Sequence, residues 1–318
     1  MKKDILIQKI KSLTNSPEEF VCEVLFILNR TNHNIIKRAD IDVHDQEELK
    51  TSFLAKLNEY IIANEELRLV EISRVEERKN TLFKYDYEEL PQDFKPITTI
   101  RNEEEFEIFS FRNDKLNEIS GIVFVIHTED TTLVSYKKHY PINLYKRDST
   151  ALGFIKQEHR FVQISDDILK IYPDFDFFYL NEELFVRNVK MLERNFGFCN
   201  VINSKAAEAL ELLETSDLVE DLTQLKQRST ELTFARKLAQ ISKHSIVLNE
   251  LPIAEIISFA ETFPKLSGRF KFNEDKSKFD LSTKKSQNLF LKLLNDDFLS
   301  SELTKRYYES ASKDPVEV

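Results

Sequence analysis

The sequence predicts an α+β fold: an N-terminal α/β part, a central antiparallel sheet and a C-terminal, mostly helical part. Three observations carry this expectation. Between about residues 118 and 190, runs rich in Val, Ile, Phe and Tyr are joined by connections too short for crossover helices, so their pairing is antiparallel. After Val189, apolar residues recur at helical spacing in one segment after another. Before residue 112, one strong amphipathic helix lies among strand-like runs. The change of pattern at 112–118 sets the expected domains at 1–115 and 116–318.

Each element has a local reason. Residues 3–13 form an amphipathic helix, stopped by the Thr14 to Pro17 break. The run from Glu18 to Asn29 is a strand that pairs with residues 33–42 across Arg30, Thr31 and Asn32. A helix follows with Asp45 as its expected N-cap and Leu49, Phe53, Leu54, Leu57, Tyr60 and Ile61 on one face. Residues 81–90 make another strand, before a connection bounded by Pro91 and Pro96. The central part reads as three hairpins: 121–140, then 150–165 turning at Gln157 and Glu158, then 175–188. Helices follow over 189–197, 204–214, 217–227, 230–243 and 252–263. Gly197 closes the first, Ser204, Asp217 and Thr230 stand at cap positions, and Pro252 lies in a first turn. A small hairpin over 268–282 and a helix over 283–296 complete the series.

An apolar fraction of 41% with 25 Phe supports a sizeable core. No run approaches the ~20 apolar residues that span a bilayer, and the amphipathic N-terminus lacks the apolar core of a secretory signal. Cys22 and Cys199 have no C-x-x-C partner, which fits free thiols in a reducing cytoplasm. With four glycines the chain has no G-x-G-x-x-G, P-loop or G-x-S-x-G. The six histidines are isolated, with no zinc-ligand spacing, and His127 reads as an ordinary strand-end residue. No cofactor and no metal are expected. A metal-dependent nuclease is the alternative kept open, on Asp174 and the Glu274-x-Lys276 fragment. A chain this rich in acids and bases produces such spacings at random.

One stretch resists a purely structural account. Residues 135–148, SYKKHYPINLYKRD, gather Lys137, Lys138, Lys146 and Arg147 around His139 in a chain of formal charge −10. Cations on either side of a bend can hold one run of phosphates, and Lys156 and Arg160 lie just downstream. A solvated sheet end that discourages edge pairing is the other reading. A second basic region places Lys284 and Lys285 in the first turn of a helix, where the dipole attracts anions.

Three strings decide between these readings by resemblance: residues 135–148, residues 175–198 (FDFFYLNEELFVRNVKMLERNFGF) and residues 293–310 (LLNDDFLSSELTKRYYES). They resemble the B protein family of the Kiwa anti-phage defence system, from about residue 115 to the C-terminus. The resemblance implies a cytoplasmic defence protein that acts beside a small multi-span membrane protein, which holds it at the inner face of the membrane. It also implies DNA binding and a homodimer. The family has no site motif, so the candidate phosphate contacts rest on charge clustering: Lys137, Lys138, His139, Lys146, Arg147, Lys156, Arg160, Lys284 and Lys285. Basic stretches that meet only a protein partner or anionic lipid form the third reading.

Overall fold

The computed structural model describes residues 1–31, 33–74, 78–103, 105–145, 152–310 and 313. The chain divides into two compact units. The first comprises Met1–Leu69, Leu82–Lys84 and Asp93–Met191; the second comprises Val70–Thr81, Tyr85–Gln92 and Leu192–Val318. The fold is α+β, as the sequence predicts.

The strands in chain order are β1 (Cys22–Arg30), β2 (His33–Arg38), β3 (Arg68–Glu71), β4 (Thr81–Lys84), β5 (Ile119–His127), β6 (Thr132–Lys138), β7 (Leu144–Tyr145), β8 (Phe154–Gln157), β9 (Arg160–Gln163), β10 (Ile168–Leu169), β11 (Phe177–Leu180) and β12 (Glu183–Val186). Eight of them form one sheet in the order β2-β1-β5-β6-β11-β12-β4-β3. The neighbours from β2 to β4 are antiparallel throughout. Because β1 pairs with β5, strands on both sides of residue 115 belong to one sheet. The change of sequence pattern therefore falls inside a sheet, and the two units divide the chain elsewhere.

The central strands of the sheet, β1, β5, β6, β11 and β12, are buried on both faces. On one face, helices α1 (Lys3–Asn15) and α2 (Val43–Leu57) place Leu6, Ile10, Phe53 and Leu57 against Phe124, Phe178 and Phe185. Phe53 stacks on Phe124, with ring centroids 4.8 Å apart. The other face carries Tyr136 stacked on Phe177 at 4.9 Å, with Phe94 tilted onto Phe177 at 5.0 Å. Helix α3 (Lys95–Asn102) buries Ile97 and Ile100. Burial on both sides explains why β5 is an almost unbroken apolar run instead of an alternating one.

Several caps differ from expectation. Asp42, not Asp45, caps α2, its carboxylate accepting from the His44 amide at 2.9 Å. After α4 (Val189–Asn195), Gly197 adopts φ +73°, the left-handed turn for which glycine is suited. Helix α5 (Phe198–Ser216) then begins six residues before Ser204, because Phe198, Val201 and Ile202 extend its buried stripe. Asp217 is its left-handed C-cap. Glu231, one residue past Thr230, is the N-cap of α7 (Leu232–His244), which follows the short α6 (Thr223–Arg228). After α8 (Ile246–Glu250), Pro252 is the N-cap residue of α9 (Ile253–Thr262). The small hairpin forms as expected from β13 (Lys271–Phe272) and β14 (Phe279–Asp280). Thr283 and Ser286 build a reciprocal capping box at α10 (Lys284–Leu294), and β15 (Phe298–Ser300) pairs with β16 (Tyr307–Glu309).

The middle hairpin of the central part stays out of the large sheet. Strands β8 and β9 form a separate two-stranded ribbon, and β7 pairs with β10. All four are an excursion between β6 and β11, which pair directly. Both cysteines are free thiols, and burial pushes that of Cys22 up to about 12. No helix of the described residues is long and apolar enough to cross a membrane.

Gly121 on β5 tests the two-sided packing. A Cβ at this position would lie 2.3 Å from the ring of buried Tyr136. Gly121→Ala is expected to destabilise the first unit by about 1–3 kcal/mol, the usual cost of overpacking. Urea denaturation followed by tyrosine fluorescence reads this as a lower midpoint.

Candidate nucleic-acid interface

The basic stretch begins at the end of β6, where successive side chains point to opposite faces. Lys137 pairs in register with Ile122 and Lys138 with Gly121, so the two lysines lie on opposite faces of the strand. Lys137 is turned toward carboxylates: its ammonium lies 3.2 Å from Asp174 and 3.4 Å from Asp176. Lys138 is half-buried, which lowers its pKa against the opposing pull of Asp176. Its backbone amide donates to Asp176 at 2.8 Å.

His139 is 4% exposed, so its ring is withdrawn from solvent. Its amide donates to the Ser120 carbonyl at 3.1 Å, while neither ring nitrogen has a hydrogen-bond partner among the described residues. Burial, and then Lys138, lower its pKa, so the imidazole is neutral near pH 7. Charge clustering in the sequence did not separate this buried ring from its cationic neighbours. Lys146 and Arg147 lie outside the described residues.

Asp174, considered above as a nuclease ligand, is an anchored counter-ion. Arg187 donates to it at 2.6 Å and Lys137 at 3.2 Å. Burial works to raise its pKa, but the Phe175 amide, Lys137 and Arg187 outweigh that and hold the carboxyl below its ordinary range. The guanidinium of Arg187 lies 4.4 Å over the Tyr60 ring. Glu274 belongs to the second unit, and Lys276 of its E-x-K fragment is paired with Glu261 at 2.9 Å.

The remaining candidates face outward. On the β8–β9 ribbon, Lys156 is paired across with Phe161 and Arg160 with Gln157, which puts the two cations on opposite faces. Both are exposed and have no acidic partner among the described residues. The ribbon also exposes Phe154, Ile155 and Phe161, an aromatic-basic mixture that its alternating sequence foreshadows. In the second unit, Lys284 is 80% exposed, with Glu231 no nearer than 3.8 Å. Lys285 is exposed beside it in the first turn of α10.

One cluster of metal-ligand type side chains, all in the second unit, escaped the sequence reading. Donor atoms of Glu71, Asp86 and His244 lie within 4.8 Å of one another. The Ser73 hydroxyl sits among them, donating to Asp86 at 2.5 Å and 2.6 Å from Nε2 of His244. Lys243 also bonds Asp86, and Arg74 donates to Glu71 at 2.9 Å. Two cations already match the two carboxylates, and a divalent ion would have to displace both the hydroxyl and the lysine. The cluster is a charge-balanced link between the 70–92 segment and α7. Residues 71, 86 and 244 carry no common spacing, so no local signal announced it.

Comparison with known proteins now adds the family. The family model described as Kiwa protein KwaB-like matches residues 116–304. The chain belongs to that family. The Kiwa protein KwaB of Escherichia coli O55:H7 (strain RM12579 / EPEC) is 33% identical over 289 residues, 90% of this chain and 92% of that protein. That length exceeds the stretch from residue 116 to the end, so the likeness to a KwaB protein reaches into the N-terminal part, where the three strings showed none. No solved structure matches the chain. Membership in the KwaB-like family supports a role in anti-phage defence.

The neutral, buried His139 sets an acid limit. Its folded pKa lies below the ordinary 6.5, so on acidification the unfolded chain takes up the proton first. The contribution of His139 to stability is therefore fully present above about pH 7 and falls as pH drops through 6.5, and the lowered pKa of His244 acts in the same direction. His139→Leu, which removes a buried polar ring, is expected to remain folded at pH 7 and to flatten the loss between pH 7 and pH 5. Urea midpoints across that range measure both effects.

Proposed function

We propose that the protein is a non-catalytic, DNA-binding effector of anti-phage defence that acts with a small multi-span membrane protein to hinder phage DNA replication or transcription. In this reading it works as a homodimer at the inner face of the cell membrane, held there by that partner. Family membership supports the defence role. The observation that carries DNA binding is the exposure of Lys156, Arg160, Lys284 and Lys285: three of them form no ion pair among the described residues, and Lys284 has a long one, with Glu231 at 3.8 Å. Such charges displace counterions from a phosphate backbone, giving affinity with strong salt dependence and little sequence choice. A net charge of −10 is compatible with this, because screening confines each patch to ~8–10 Å at physiological salt. Lys137, Lys138 and His139 serve the end of the sheet, and the outward cations make the contact.

Fluorescence anisotropy of labelled duplex DNA across a salt series tests the reading. Replacing Lys156, Arg160, Lys284 and Lys285 by alanine should weaken binding to every sequence. The slope of log K against log salt should flatten by about 0.9 for each phosphate contact removed. Unchanged affinity and slope would take these residues out of the interface. On a gel of the same samples, DNA should stay intact with Mg²⁺ or Mn²⁺. Cleavage that is lost with EDTA and in Asp174→Asn or Glu274→Gln would make the protein a nuclease instead.

A further inference from the structure

A cavity of about 380 Å³ in the first unit is lined by the end of α2, the turn after it, Lys137, the Tyr172–Asp174 loop and Arg187. Its size is at the small end of ligand sites, enough for one nucleotide and too little for two. Three features of its wall define a ligand chemistry.

The first is flatness. Arg187 lies over the Tyr60 ring at 4.4 Å and over Phe175 at 5.3 Å, and the half-exposed ring of Tyr172 lines the same cavity. Guanidinium and aromatic planes are the surfaces on which nucleobases stack. The second is Asp174, an ionised carboxylate fixed by Lys137 and Arg187. It offers acceptors only, which suits ribose hydroxyls or an exocyclic amine. The third is charge. Lys56, Lys137 and Arg187 line the cavity with Glu59 and Asp174, and Asp176 behind Lys137 completes the balance of three cations and three carboxylates. Lys137 is committed to Asp174 and Asp176, while Lys56 is held only by Glu59, at 2.6 Å in an exposed i,i+3 pair of the weak kind that an incoming anion can replace, and Arg187 keeps further donors beside Asp174.

The backbone is also irregular at this place. Helix α2 ends in a π turn, Asn58–Ile62, which keeps Ile61 in the core while Tyr60 lines the cavity. Single π turns of this kind are frequent at functional sites.

We infer that this cavity binds a free nucleoside monophosphate, its base stacked on Tyr172 and the Arg187–Tyr60 pair, its ribose on Asp174 and its phosphate on Lys56 and Arg187. Lys156, Arg160, Lys284 and Lys285 do not line the cavity, so this site and the DNA interface fail separately in experiment.

Isothermal titration of the full-length protein with AMP, GMP, CMP and UMP, alongside inorganic phosphate and the free nucleosides, is the test. At least one monophosphate should bind saturably and at least tenfold more tightly than either control. Tyr172→Ala and Arg187→Lys should each weaken it tenfold or more, while the four-alanine DNA variant leaves it unchanged. Tyr172 is 51% exposed, so its loss spares the fold, and an unaltered melting curve verifies this. Absence of binding at millimolar nucleotide overturns the assignment, as do equal binding of inorganic phosphate and full affinity in Tyr172→Ala. So does a single-stranded oligonucleotide that binds the cavity where free nucleotides do not.

Discussion

One buried carboxylate organises the end of the sheet. Asp176 is 5% exposed and accepts from the Lys138 amide at 2.8 Å and the Asn188 side chain at 3.1 Å, with the Lys137 ammonium at 3.4 Å. Its own amide donates to Tyr136, and its carbonyl accepts from the amides of Arg187 and Asn188. A single residue thus ties the ends of β6, β11 and β12. A buried charge is tolerable only when it is this completely paired. Once Asp176 is fixed, Lys137, Asp174 and Arg187 have little choice of position.

This changes the meaning of the basic stretch. Four cations within a short run suggest a positive surface, yet charge along a chain is not charge in solution. Lys137 is matched by Asp174 and Asp176, and Lys138 is half-buried. The outward cations Lys156, Arg160, Lys284 and Lys285 sit on a two-stranded ribbon and in a helix first turn, and among the described residues their one ion pair is the exposed Lys284–Glu231 contact at 3.8 Å. An acidic protein can present anion-binding ground in this way, by spending some cations on internal pairs and leaving others at exposed ends.

The second unit applies the same rule to a different set of groups. Glu71, Asp86, Arg74 and Lys243 balance one another around the Ser73 hydroxyl and His244. Burial, with Arg74 next, lowers the pKa of His244, so neutrality near pH 7 is part of that balance. The Asp176 and Asp86 groups are closed sets of this kind, but not every buried polar atom is so placed: the Ser135 hydroxyl has no partner among the described residues. Nor do the nitrogens of the neutral His139 ring find one.

The sequence alone determined the class of the fold, most of its elements and its family. Period-two and period-3.6 patterns are local, and they identified β1, β5, β6, β11, β12, α2, α7 and α10 without knowledge of any neighbour. Caps were less legible: Asp42 rather than Asp45 holds α2, since several short polar residues near a helix start can serve and the backbone selects one. The sheet joining β1 to β5, the separation of the β8–β9 ribbon and the withdrawal of His139 were decided only by the tertiary structure. So were the Asp176 hub and the cavity beside it. Each depends on which distant residues meet, and burial and ion pairing act through space, where spacing along the chain leaves no record.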